Sequence, residues 1–110
     1  MKKPRTYSPQ VVEAARLLGA QVRLARLERR WTVEELAERA GISHNTMRKV
    51  ERGDLTVGLG PAFEAATLVG VPLFHADPER RHLEVRETDA RLAVVPARAR
   101  RPLREADVDF

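Results

Sequence analysis

At 110 residues, 43% hydrophobic and 33% charged, the chain has the size and composition of one globular domain with an appended tail. It has no run approaching the roughly eighteen apolar residues of a membrane span, and its lack of cysteine excludes a disulfide scaffold, a thiol nucleophile and a cysteine metal site. The net charge of +4 is uneven: residues 1–74 carry 12 Lys+Arg against 8 Asp+Glu and residues 75–110 carry 8 against 8, so the basic excess lies where an acidic polymer such as DNA would bind.

The lack of cysteine fits a cytoplasmic protein, and the basic N-terminus, MKKPRTYSPQ, has no apolar stretch behind it, which argues against a signal peptide. Residues 1–7 read as a flexible basic arm. Ser8 before Pro9 marks a helix start, because proline at the first helical position loses no hydrogen bond. From Gln10 to about Arg29, apolar residues recur at Val11, Ala15, Leu18, Val22 and Ala25, one face of a long amphipathic helix. Gly19 lies on this face and costs about 1 kcal/mol relative to alanine, so a neighbouring helix is expected to approach it closely. Trp31 marks the turn and is expected to cover the core.

Thr32 and Glu35 form a capping box that starts a second helix with Leu36, Ala37 and Ala40 inward. Gly41 ends it, Ile42 plugs the corner, and Ser43 caps a third helix whose inward residues are Met47 and Val50 and which Gly53 closes. AGIS is thus a corner of three to four residues between two helices, the turn of a helix-turn-helix. GDLTVGLG reads as a loop. Pro61 opens a fourth helix that buries Phe63, Ala66 and Leu68 or Val69 and stops at Gly70, and VPLF adds an apolar coda of one helical turn. The expected fold is all-α: a five-helix bundle over residues 8–74.

Residues 75–96 form a C-terminal extension and a candidate dimerisation segment. Asp77 caps, Pro78 opens, and a helix is expected through about Asp89; RLAVVP either extends it or forms a short strand, and Pro96 ends it. Residues 97–110 have four arginines in seven residues followed by acidic residues and Phe110, with too little apolar content to fold alone, and read as a mobile tail.

LAERAGISHNTMRKVERG resembles the phage-repressor-like helix-turn-helix of the Xre/Cro type, through Leu36-Ala37, Gly41-Ile42-Ser43, Thr46-Met47 and Val50-Glu51 before Gly53. More narrowly, VRLARLERRWTVEELAERAG, ERGDLTVGLG, LVGVPLF and the tail are similar to HipB-like antitoxins, which accompany HipA-type serine/threonine kinase toxins. The resemblance implies that the third helix enters the major groove with His44, Asn45, Arg48 and Lys49 toward base edges. Asparagine can pair with adenine and arginine with guanine, each good pair being worth about 1–3 kcal/mol of discrimination. Thr32, Ser43 and Thr46 are the expected phosphate contacts, and Arg23, Arg29 and Arg30 either reach phosphates or solvate a face. The family's usual glutamine at the start of the second helix is Val33 here, which can neither brace the recognition helix nor touch the backbone by hydrogen bonding. The resemblance also implies a buried structural bridge between Arg26 and Glu51.

No nucleophile elbow, phosphate-binding loop or paired-carboxylate constellation appears, and His75 and His82 have no third ligand, so neither an enzyme, a metal nor a cofactor is expected. The reading is a homodimeric repressor binding double-stranded operator DNA, and the antitoxin of a HipBA-like operon that also binds a kinase toxin. The alternative is a stand-alone Xre-family regulator without a toxin. In the antitoxin, Arg98, Arg100, Arg101, Arg104 and Phe110 would engage the partner; otherwise the tail only solubilises.

Overall fold

Four helices and the loops between them build the first unit of the computed structural model, which describes residues 6–97 and divides after Ala76. Helix α1 (Pro9–Glu28) starts as expected with Pro9 in its first turn, but Ser8 caps only through its backbone oxygen, which accepts from Val11 and Val12 N–H at 3.0 and 3.2 Å. Helices α2 (Val33–Ala40) and α3 (His44–Arg52) follow, then α4 (Leu59–Leu68).

Val22, Leu36, Ala37, Met47, Val50, Ala65, Ala66, Val69 and Val71 form the core, so every helix of this unit contributes to it. Burying each of the larger side chains stabilises the fold by about 1.5–3 kcal/mol. Leu18, Ala25, Trp31 and Ile42 pack against this cluster, whereas Val11, expected inward, is 40% exposed because it lies in the first turn of α1. Gly19 is buried where α1 meets the end of α3: a Cβ built there would stand 2.5 Å from Val50 O. Its lack of a side chain is what lets the two backbones touch.

The helices of this unit end on a shared hydrogen-bond pattern. At the end of α2, Ile42 N–H donates to Ala37 O at 3.0 Å and Gly41 N–H to Glu38 O at 3.2 Å, with Gly41 at φ 70°. The ends of α3 at Gly53 and α4 at Gly70 repeat it. α1 does the same with Arg30 at φ 59°, a left-handed residue that no glycine signalled.

VPLF is not a helical turn. Pro72 cannot donate, Phe74 sits at φ 71° and 80% exposed, and Leu73 and His75 form an isolated bridge, while Val71 alone of this segment enters the core. The fifth helix of the all-α architecture is instead α5 (Pro78–Val94), in the second unit. Asp77 caps it as expected, its Oδ1 accepting from Glu79 N–H at 3.0 Å. RLAVVP extends this helix, which runs past Asp89 to Val94 because Ala90 to Ala93 are compatible with helix and Pro96 is the first stop. Of α5's own residues none is buried. Among the described residues there is no strand beyond the bridge. Most of the basic arm and all five tail residues named above, Arg98, Arg100, Arg101, Arg104 and Phe110, lie outside the described residues.

Candidate nucleic-acid interface

Two capped helix starts and one corner present the candidate residues. At the start of α2, Thr32 Oγ1 accepts from Glu35 N–H at 3.0 Å and Glu35 Oε1 accepts from Thr32 N–H at 3.0 Å, the reciprocal box read from the sequence. The same bonding holds the Glu35 carboxyl below its ordinary value, chiefly through the Thr32 backbone N–H. At the start of α3, Ser43 Oγ accepts from Thr46 N–H at 3.0 Å and its hydroxyl donates to Thr46 Oγ1 at 2.8 Å. One of the two hydroxyl protons is therefore spent between Ser43 and Thr46, leaving one to donate to an anion. Thr32 Oγ1 accepts in the box, and its hydroxyl also helps to hold the Glu35 carboxyl low.

His44 and Asn45 occupy the first two positions of α3 and are both exposed, as is Arg48 one turn on. Lys49 and Thr46 are half-buried beside them. The behind-lying face of α3 is fixed by Met47, fully buried, and Val50, so the exposed face cannot rotate inward without emptying the core. α3 also takes its first turn with no acidic residue, leaving its free N–H groups and positive end uncompensated.

The bridge implied by the family resemblance is present. Arg26 Nε donates to Glu51 Oε2 at 2.6 Å and Nη2 to Glu51 Oε1 at 2.9 Å, a bidentate pair with side chains 8% and 6% exposed. Arg26 Nη1 donates to Trp31 O at 2.8 Å, so one guanidinium ties α1, the end of α3 and the residue preceding the α2 cap. The pairing with Glu51 raises the Arg26 pKa above its ordinary value against the opposing effect of burial. Trp31 is half-buried against the core with the Arg39 guanidinium 4.2 Å from its ring centre.

A second bridge was not legible in the sequence. Arg48 Nη2 donates to Glu34 Oε2 at 2.8 Å, with both side chains 48% exposed. Val33 packs against the core, and the polar link from α2 to α3 is made one residue later, by Glu34. Only one N–H of Arg48 is used, which leaves the other edge of its guanidinium open. The signal that could have found it is an acid in the first turn of α2 and an arginine on the exposed face of α3, fourteen residues apart across a corner of known shape.

The exposed positions of α3 thus have the chemistry for base edges, and Thr32 with the α3 start has the chemistry for phosphate. No helix among the described residues is long and apolar enough to cross a membrane. A search among curated proteins and a search among solved structures each find no match to this chain. Residues 17–83 match the family described as a helix-turn-helix domain, from within α1 to within α5. With more than half of its length matched and the two-helix corner at Gly41 in place, the chain belongs to the helix-turn-helix domain family, whose architecture is that of DNA-binding regulators.

Proposed function

We propose that the protein is a sequence-specific transcriptional repressor of the Xre type that acts in the cytoplasm as a homodimer on double-stranded operator DNA. The observation that carries this reading is the exposure of His44, Asn45 and Arg48 at the start of a helix whose other face is locked by Met47 and Val50. Each subunit inserts α3 into one major groove, and the two half-sites lie about 34–36 Å apart. His44, Asn45, Arg48 and Lys49 read base edges, while Thr32, Thr46 and Ser43 with the helix N–H groups hold phosphates. No catalytic role is assigned to any residue. Footprinting of an operator selected from random duplexes tests this: two protected half-sites one turn apart are expected, and a single protected site bound by one subunit contradicts it.

The finer reading, supported by the likeness of the quoted stretches to HipB-like proteins, is the antitoxin of a HipBA-like operon, repressing its own promoter and binding a HipA-like kinase. Arg98, Arg100, Arg101, Arg104 and Phe110 are the proposed partner contacts. Deleting residues 97–110 should leave operator binding intact and abolish inhibition of a co-expressed kinase encoded beside it. Full inhibition after the deletion removes the tail from the account.

A further inference from the structure

α1 is apolar on two opposite sides, and the first unit occupies only one of them. Leu18, Gly19, Val22 and Arg26 turn toward the bundle. On the other side Leu17, Leu24 and Leu27 are 57%, 59% and 51% exposed, with Ala20 exposed between them. At 3.6 residues per turn these four fall within a stripe about 80° wide. Their spacing of three and four residues is that of a coiled-coil seam, with Leu17 and Leu24 at a and Ala20 and Leu27 at d. Isolated surface leucines need no explanation, but three in register on one helix do.

The flanking charges choose an occupant and an orientation. Arg16 and Arg23 fall at the g positions, Gln21 and Glu28 at e. Between two parallel copies, g of one helix meets the next e of the other, so Arg23 faces Glu28 of the second copy twice across the dyad and Arg16 faces Gln21. In an antiparallel pair g flanks g, and arginine would meet arginine. Neither Arg23 nor Glu28 is engaged in an ion pair among the described residues. We propose that the outer face of α1 is a self-association surface on which a second copy of this chain docks in parallel and in register, an inference that rests on the dimeric reading above and moves the interface from residues 75–96 to α1. The apolar seam from Leu17 to Leu27 spans only about 15 Å of helix, so association is concentration-dependent and is reinforced when both subunits share one duplex.

The chain has no cysteine, so an introduced thiol reports unambiguously. In the parallel register the two copies of residue 24 face each other within disulfide reach, a Cα separation of about 4.4–6.8 Å. Leu24→Cys is therefore expected to form covalent dimers more than about tenfold faster than Glu38→Cys, an exposed control on α2. Leu24→Glu with Leu27→Glu should weaken dimerisation by more than about tenfold in sedimentation equilibrium and leave the melting curve unchanged at concentrations where the wild type is monomeric, since both side chains are already more than half exposed. Glu28→Arg should weaken the dimer and Arg23→Glu added to it should restore it. A dimer that survives the double glutamate variant, with Leu24→Cys no faster than the control, overturns the α1 interface while leaving the dimeric reading standing. A wild-type protein that is monomeric at every concentration, alone and on its operator, overturns both.

Discussion

Arg48 meets any ligand already paired with Glu34 at 2.8 Å. Half-exposed pairs of this kind contribute about 0–1 kcal/mol to stability, so the proposed value of this one lies in orienting Arg48 and in keeping a negative charge near the edge proposed to face DNA. Glu34→Gln is expected to leave the melting temperature nearly unchanged and to raise affinity for scrambled duplex several-fold, narrowing the gap to the operator; fluorescence anisotropy on both duplexes measures it. Arg26 and Glu51 are the opposite case. Their side chains are 8% and 6% exposed, and Arg26 has three hydrogen bonds to lose. Glu51→Gln leaves a buried guanidinium without its counter-charge and should cost about 3–5 kcal/mol in urea unfolding, with the unfolding slope unchanged.

At the scale of elements, the corners decide what the helices present. Gly41 and Gly53 have nearly the same backbone, φ 70° and 73°, but different surroundings. Nothing lies within 4 Å of a Cβ added at Gly41, whereas one at Gly53 would stand 2.8 Å from the Arg16 backbone. Gly41→Ala should therefore cost only the left-handed strain, about 1–2 kcal/mol, and Gly53→Ala distinctly more, a ranking that thermal melts resolve. The caps add a pH dependence. Thr32 N–H holds the Glu35 carboxyl below its ordinary 4.5, and the Thr56 hydroxyl, with its N–H, holds Asp54 below 3.8. In both cases the unfolded chain takes up the proton first as pH falls, so this stabilisation is complete above pH 4.5 and is lost progressively below it. The melting temperature should be level above that value and decline beneath it, and Glu35→Gln, which keeps the box's geometry, should flatten part of the decline.

Most helix starts and corners were legible because their signals are local: Thr32 with Glu35, Ser43, Gly41, Gly53 and Asp77 before Pro78 all behave as their sequence neighbours imply, whereas α4 starts at Leu59 after Gly58 and not at the expected Pro61. The coda was not, because Val71 and Leu73 read as apolar helix while Pro72 and the left-handed Phe74 forbid it. Nor was the turn after α1, where Arg30 takes a conformation that glycine usually announces. The Glu34 link to Arg48 joins residues on either side of the corner and depends on their distance in space.

For the whole molecule, the basic excess of residues 1–74 makes DNA affinity salt-dependent, with a log–log slope near −0.9 for each phosphate neutralised, but such attraction is blind to sequence. What separates an operator reader from a basic protein is discrimination, which is proposed to come from the first turns of α3. The direct test is the variant in which His44, Asn45 and Arg48 are all replaced by alanine. None of the three is buried, so circular dichroism should show an intact fold. Binding is then compared on an operator selected by the wild type and on a scrambled duplex of equal length. Both affinities should converge on the scrambled value, a loss of about 1–3 kcal/mol of preference for each base pairing removed. A folded variant that still prefers the operator by the wild-type margin would contradict the proposed role of α3.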